Sequence, residues 1–305
     1  MIHKIAIVGM GALGLLYADQ LTSGLGDPGA VEFVMDEERL KRHKEDTYTI
    51  NGTEKHFKMI NANDAEPADL VLVAVKYNAL SKALDTMTNC IGADTIILSV
   101  MNGVTSEEII AGRYGMEHMI YCVAQGMDAM RDGTTLKYTQ CGKLHIGAVN
   151  PDMQKRADAV RELFDRAGLP YLMEEDILHR MWFKYMLNVG VNQACTVFDT
   201  TYGVVTTPGE TAYEKMFGAM LEVIPVAKAH GVELTEEDAM TCIEIERTLD
   251  PKGYPSMTQD LKAGRKTEVR MFAGEMIRMA GELGIKVPYN QFMYDRMMEI
   301  EKNLA

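Results

Sequence analysis

No apolar run in this 305-residue chain reaches the ~18 residues that a membrane-spanning helix needs. No basic leader with a cleavage site precedes the first apolar segment, so a cytoplasmic protein with no membrane partner is expected. Cysteine is sparse and dispersed. Cys90, Cys122, Cys141, Cys195 and Cys242 form no C-x-x-C and no paired Cys/His spacing, which excludes both a disulfide framework and a zinc site and leaves them as buried thiols. Positive charge is in deficit. A formal net charge of -13 argues against a nucleic-acid partner, because phosphate binding needs a basic surface; a small anionic ligand, which meets only local charge, stays open. Internal repeats, low-complexity tracts and flexible linkers are absent too, so two directly packed domains sharing a cleft are expected. What the chain does have is apolar content: 47% hydrophobic residues, enough for two domains and a substantial core, with 24 methionines to fill gaps between helices.

The most informative stretch comes first. Ile5-Ala6-Ile7-Val8 is a strand-forming run that enters Gly9-Met10-Gly11-Ala12-Leu13-Gly14, and the residues through Leu21 read as an amphipathic helix. In such a strand, turn and helix, Gly9 permits the turn, Gly11 lets the backbone approach a pyrophosphate and Gly14 lets helix pack on strand. The helix N-terminus would face the phosphates with free N–H groups and its positive dipole end. A second strand, Val31 to Met35, ends in Asp36, about 20 positions beyond the glycines, where a carboxylate can accept hydrogen bonds from an adenosine ribose. Asp36 suits NAD, yet Arg39, Lys41 and Arg42 follow and could reach the 2′-phosphate of NADP. Equally, Asp36 could cap a helix that starts at Glu37.

Further strands are expected at Asp69 to Val75, Thr95 to Ser99 and Met119 to Ala124, and an Asn51-Gly52 hairpin between Tyr48-Thr49-Ile50 and His56-Phe57-Lys58. Strands at Thr134 to Thr139 and Lys143 to Ile146 are expected to join through a Cys141-Gly142 turn, followed by a helix from Asp152 to Ala167 and a strand at Leu169 to Met173. Lys76 and Asn102 follow strand ends, where a doubly wound sheet presents its ligand crevice; a surface lysine and a turn asparagine are the ordinary alternatives. After residue 173 helical periodicity dominates. The spans are Ile177 to Thr196, Glu210 to His230, Glu236 to Thr248, Arg265 to Leu283 and Asn290 to Asn303, separated by Gly and Pro. The division is therefore 1–173 for a dinucleotide-binding domain and 174–305 for a helical one.

In the first of these helices Lys184, Asn188 and Asn192 fall at i, i+4, i+8, placing one ammonium and two amides along one stripe. Asparagine is a poor helix former, so two of them invite a reason: substrate hydrogen bonding, or polar contacts between helices in a core. Ser256 lies in a turn and Glu268 in the helix that the turn feeds; a helix cap and an exposed carboxylate are the bland readings of each.

The ordered set resembles the ketopantoate reductase (2-dehydropantoate 2-reductase) family over nearly the whole chain. It comprises the glycine loop, Val75-Lys76, Asn102-Gly103, Trp182-x-Lys184-x-x-x-Asn188-x-x-x-Asn192, Ser256-Met257-x-Gln259-Asp260 and Thr267-Glu268. The resemblance implies an α/β fold: an N-terminal Rossmann dinucleotide-binding domain with a C-terminal all-α domain similar to that of 6-phosphogluconate dehydrogenases. It implies NADPH-dependent reduction of ketopantoate, a small 2-keto acid, to pantoate on the way to coenzyme A, by a monomer or homodimer without a metal. By the resemblance, Lys184 donates the proton and Glu268 is an acid at the cofactor and the catalytic lysine. Asn188, Asn192 and Ser256 contact substrate, Asn102 lies near nicotinamide and substrate, and Lys76 stands at the cleft. Two positions depart from the family pattern. Asp36 stands where an arginine often takes the 2′-phosphate, which admits NADH, and a further substrate asparagine about ten residues after Asn192 is replaced near Tyr202. A reductase of another 2-keto acid or imine, and a non-catalytic sensor of nicotinamide redox state, are the alternatives.

Overall fold

The structure, a computed structural model, describes residues 1–304. Its first strand, β1 (Ile5–Val8), is apolar at every position and buried at every position. Only a strand covered on both faces accepts such a run, which is the condition of an inner strand of a parallel sheet. In chain order there follow α1 (Ala12–Leu25), β2 (Val31–Met35), α2 (Glu37–His43), β3 (Tyr48–Ile50), β4 (Thr53–Lys55), β5 (Lys58–Asn61) and β6 (Leu70–Val73). Next come α3 (Leu80–Met87), β7 (Ile96–Ser99), α4 (Ser106–Tyr114), β8 (Met119–Met127), β9 (Met130–Asp132), β10 (Thr135–Lys137), β11 (Cys141–Gly147), α5 (Gln154–Ala167) and β12 (Tyr171–Met173).

The main sheet runs β12-β11-β8-β7-β6-β1-β2-β5. From β5 to β8 every pairing is parallel, and β1 pairs with β2 on one side (Ile5 opposite Val31) and β6 on the other (Ile5 opposite Leu70). Chain order reverses at β1, so a ligand crevice opens at the carboxyl ends of β1 and β6, where the glycine loop leaves the sheet. This is the expected Rossmann-like unit. β11 then runs antiparallel to β8, and β12 parallel to β11.

A second, four-stranded sheet, β4-β3-β10-β9, was not foreseen. It absorbs two expectations that fail. Thr135 to Lys137 does not form a hairpin with Lys143 to Ile146: it pairs with β9, while β11 begins at Cys141 and pairs with β8. Asp128 holds the intervening link, accepting from the N–H groups of Thr139 and Gln140 at 2.8 Å. The Asn51-Gly52 turn is present, with φ of 48° and 83°, but its second strand is Thr53–Lys55, and Lys58 already belongs to the main sheet.

The chain divides into two compact units, residues 1–177 and 178–305. The second unit is helical: α6 (Ile177–Leu187), a π turn at Asn188–Asn192, α7 (Gln193–Val197), α8 (Tyr202–Val205), α9 (Thr211–Ala229) and α10 (Glu236–Arg247) come first. Then follow α11 (Ser256–Lys262), a second π turn at Arg270–Gly274, α12 (Glu275–Glu282) and α13 (Pro288–Glu301). Met216, Met220, Met257, Met276, Met293 and Met297 are wholly inaccessible, so methionine does fill this helical core. The helix expected from Arg265 starts late. Glu301, from the far end of α13, accepts from the Thr267 N–H (2.7 Å) and hydroxyl (2.6 Å), so residues 265–269 stay outside the helix and the chain enters through the π turn. Among the described residues no helix is long and apolar enough to cross a membrane.

Candidate active site

In the first unit the chain leaves β1 through Gly9, whose φ of +110° disfavours any side chain, and a Cβ there would strike the carbonyl of Ala74. A Cβ at Gly14 would strike the carbonyl of Gly9, so this glycine sets the approach of α1 to the strand. Gly11 is different. A Cβ there meets nothing closer than the Ala74 carbonyl at 3.9 Å, so the fold itself does not demand a glycine. It is the backbone N-cap of α1, with no side-chain cap and no acidic residue in the first turn, leaving the helix N–H groups and dipole to an anion. Met10 is buried beneath the loop, while Ala12 and Leu13 open α1 half-buried. These residues fit the pyrophosphate of a dinucleotide.

Beside the loop lies a pocket whose lining includes Gly9, Asp36, Arg39, His43, Lys82 and Thr86. Asp36 caps α2, accepting from the Arg39 N–H at 2.8 Å, and pairs with the Lys82 ammonium at 2.9 Å. Partial burial pushes its carboxyl upward, but the Lys82 and Arg39 contacts outweigh this and hold it below the ordinary value. Of the cations after Asp36, Arg39 lines the pocket; Lys41 pairs with Glu37, and Arg42 donates to the Glu38 carbonyl. Lys82 was not anticipated, because it arrives from α3, 46 positions away in a different part of the sequence. Lys76 caps the short turn after β6 and is exposed. Asn102 is half-buried in the loop after β7, next to Gly103 at φ +94°. Under that loop the Met101 N–H donates to Ser99 Oγ (3.4 Å), Ser99 and Ser106 hydroxyls meet at 2.8 Å, and Ser106 donates to Glu107 at 2.8 Å. Burial pushes the Glu107 carboxyl up to about 7.

In the second unit Lys184 is half-buried on α6, and one turn later Asn188 and Asn192 are almost fully buried, at 5% and 6% exposure. The stripe is not a simple α-helical one. Both asparagines bound the π turn, a distortion that frequently marks functional sites, and it brings the Asn192 amide onto the Asn188 carbonyl oxygen at 3.0 Å. The Asn188 Nδ2 is left buried with no hydrogen-bond partner. The contacts between helices are made instead by the next residue. Gln193 donates to the Val189 carbonyl (2.7 Å) and Asn290 (3.3 Å) and accepts from the Ala273 N–H (3.0 Å), so it joins both π turns to α13.

Ser256 is not a cap: Pro255 holds that position, and Ser256 is the exposed first residue of α11. Its helix is anchored by the Thr258 hydroxyl on Thr196 (2.9 Å), which in turn donates to the Asn192 carbonyl (2.7 Å). Glu268 is half-buried in the turn before the second π turn rather than within a helix, and its carbonyl accepts from Met271 and Phe272. Tyr185 on α6 donates to the Phe272 carbonyl at 2.7 Å, tying the lysine-bearing helix to that segment. Tyr202 opens α8 with its ring against Gly253, and burial raises its phenol well above the ordinary value.

Comparison with known proteins follows this division. The family description "Ketopantoate reductase PanE/ApbA" matches residues 5–151, and "Ketopantoate reductase PanE/ApbA C terminal" matches residues 176–301. The chain is 27% identical to a 2-dehydropantoate 2-reductase of Streptococcus pyogenes serotype M6, over 93% of each chain. It is 26% identical to the enzyme of that name from Halobacterium salinarum, over 96% of this chain and 97% of the other. Among solved structures, a complex of D-mandelate dehydrogenase with NADH superposes with a TM-score of 0.87 at 24% identity, covering 99% of this chain and 100% of that one. A PanE/ApbA family ketopantoate reductase from Ralstonia eutropha JMP134 superposes with a TM-score of 0.82 at 24% identity, covering 99% of both. With two family matches that together span the glycine loop, the sheet and the helical unit, the chain belongs to the ketopantoate reductase family of nicotinamide-dependent oxidoreductases acting on a CH–OH group.

Proposed function

We propose that this protein reduces 2-dehydropantoate to pantoate with NADPH, with Lys184 as the proton donor. The observation that carries the substrate side is the buried amide of Asn188: an Nδ2 with no partner in the protein, at 5% exposure, is a donor kept for something else. An unmade hydrogen bond of this kind costs ~1–3 kcal/mol, which a bound carboxylate, carbonyl or hydroxyl would recover. When bound, the reduced nicotinamide supplies a hydride to the ketone carbon. Lys184, one turn before Asn188 on α6, gives its proton to the ketone oxygen as charge develops there, a contribution typically worth ~10² to 10⁴ in rate. Asn188 and Asn192, fixed against each other at 3.0 Å, orient the substrate, and Ser256 offers a hydroxyl from the start of α11. Glu268 balances the charge of the lysine, and Asn102 and Lys76 serve the cofactor from the ends of their strands.

NADPH is favoured by charge. Asp36 is already neutralised by Lys82, so Arg39 brings the adenosine pocket to a net positive value, and a 2′-phosphate would find two cations there. The test is loss of absorbance at 340 nm with ketopantoate, run with NADPH and with NADH for the natural chain and for Lys82→Met. The natural chain should turn over faster with NADPH, and Lys82→Met should reduce that preference several-fold. Equal rates with both cofactors, unchanged in the variant, would overturn the cofactor assignment.

A second reading, reduction of a different 2-keto acid, is favoured by the replacement, near Tyr202, of the further substrate asparagine that the family pattern leads one to expect, and by the likeness to a D-mandelate dehydrogenase bound to NADH and anilino(oxo)acetate. A panel including ketopantoate and aryl-substituted 2-keto acids decides between them by kcat/KM.

A further inference from the structure

The four-stranded sheet has no part in the reaction as described, yet it reaches the glycine loop. We propose that Arg131, on β9 of that sheet, is a pyrophosphate-binding residue of the dinucleotide site, a cation brought to a loop that otherwise binds phosphate through backbone alone; the proposal rests on the dinucleotide reading of that loop.

Arg131 donates through Nη1 to the carbonyl of Met10, the residue between Gly9 and Gly11, and through Nε to the Gly133 carbonyl at 2.8 Å. These two bonds fix the plane of the guanidinium and use two of its five N–H groups, leaving three for a further acceptor. The side chain is half-buried, and among the described residues no carboxylate lies within ion-pair distance of it; Asp46 acts on it only through space. A partly desolvated arginine without a counter-ion, bonded to the backbone of a phosphate loop, is placed to take an anion there. Holding the two carbonyls would need only two donors, which a glutamine amide supplies without the cost of a charge.

The sheet that carries Arg131 is fastened in advance. Tyr48 on β3 directs its hydroxyl at the sulfur of the same Met10 (3.3 Å) and at Asp46 (3.2 Å). Asp19 of α1 accepts from the Tyr138 hydroxyl (3.0 Å) and pairs with Lys55 of β4 (2.6 Å), and Gln20 donates to Tyr138 at 2.7 Å. Two strands of the sheet, β3 and β9, therefore close on one loop residue, and the helix that follows the loop holds the sheet through β4 and the residue after β10. The guanidinium is positioned before ligand arrives, so little ordering cost falls on binding.

Adenosine and ADP separate a phosphate ligand from a structural latch, because both contain the adenosine but only ADP carries the pyrophosphate. In the full-length protein, calorimetric titration of Arg131→Gln should show ADP binding weakened ten-fold or more, adenosine binding within two-fold of the natural chain, and a shallower dependence of ADP affinity on salt. Arg131→Lys, which keeps the charge, should recover part of the ADP affinity. In the natural chain, ADP but not adenosine should protect Arg131 from modification by phenylglyoxal, read by mass spectrometry; this arm does not depend on a variant folding. Equal weakening of adenosine and ADP, or no weakening of either, would overturn the proposal in favour of a latch or no role. A natural chain that bound neither ADP nor NADPH would overturn this and the cofactor reading together, whereas one that bound both but reduced no keto acid would overturn only the substrate reading.

Discussion

In the reading proposed above, the two units prepare for their ligands by opposite means. In the first, backbone does the work: Gly9 shapes the turn, Gly14 sets the approach of α1, Gly11 leaves the loop open, α1 presents N–H groups with no side-chain cap, and charge is added by Arg39, Lys82 and Arg131. In the second, side chains on a distorted helix do it: Lys184 and two buried asparagines, one with an unpartnered amide, set around a π turn. A backbone site suits a group common to many ligands, such as a pyrophosphate. A side-chain site suits a single small molecule whose carboxylate, carbonyl and hydroxyl must each be told apart. The first unit should therefore fail outright on backbone changes and lose only phosphate affinity when one of its cations is removed, whereas the second should lose turnover with its side chains.

The largest expected effect is on the side-chain site. Lys184→Ala should lower kcat by ~10² to 10⁴ while leaving the dissociation constant for NADPH within a few-fold, as read by steady-state rates and by cofactor fluorescence. Near-normal turnover would remove Lys184 from the mechanism and blur the contrast between the units.

Within the backbone site, the glycines should separate from one another. Gly9→Ala forces a Cβ into the Ala74 carbonyl at φ +110° and should cost several kcal/mol of stability, on the order of the severe backbone cases. Gly11→Ala meets nothing closer than 3.9 Å and should leave the melting temperature nearly unchanged, yet weaken NADPH ten-fold or more, because the methyl takes the space of the phosphate. If Gly11→Ala bound cofactor normally, the loop would not be the phosphate site.

Adjacent polar residues of the second unit should separate as sharply. Gln193 has partners on both π turns and α13, so Gln193→Ala leaves buried groups unpaired and should cost ~1–3 kcal/mol in denaturant unfolding. Asn188→Ala loses one bond, that from the Asn192 amide to the Asn188 side-chain oxygen, against three for Gln193, so it should cost less stability than Gln193→Ala while raising KM for the keto acid at least ten-fold. The reverse pattern would make Asn188 structural.

How far each unit could be read in advance follows from the same contrast. The glycine loop, β1 and α1 are contiguous, so a local pattern carries both the fold and the proposed site. Arg131 lies 121 positions from Met10 and on a sheet the pattern did not reveal, so no spacing rule could bring them together. The i, i+4, i+8 spacing found the asparagines but not the π turn between them, since that depends on packing: a Cβ at Gly190 would collide with Met220 of α9. Likewise Glu268 was read as helical because nothing local stops the helix; Glu301, 34 positions beyond Thr267, does. Lys82 and Gln193 went unnoticed for a further reason, that a lysine and a glutamine on helices are unremarkable until their partners are known.

The smallest expected effect concerns stability and pH. Each unit buries one glutamate whose carboxyl is pushed up to about 7: Glu107, where burial is opposed by the Ser106 hydroxyl, and Glu246, where burial is the sole cause. In the unfolded chain both return to the ordinary value near 4.5. Between about 4.5 and 7 the folded protein therefore holds protons that the unfolded chain has released, and these two groups make stability fall as pH rises through that window. Glu246→Gln removes the ionisation and keeps the shape, so it should raise unfolding stability at pH 8, by ~3 kcal/mol at most, and change it little at pH 4.5. Glu107→Ala should differ, because it also strips the acceptor from the serine chain under the Asn102 loop and so loses stability even at low pH. Denaturant midpoints at the two pH values check both. An equal gain from both variants at pH 8 would mean that the first unit makes no use of its buried carboxylate, and that the loop at Asn102 is held by backbone alone.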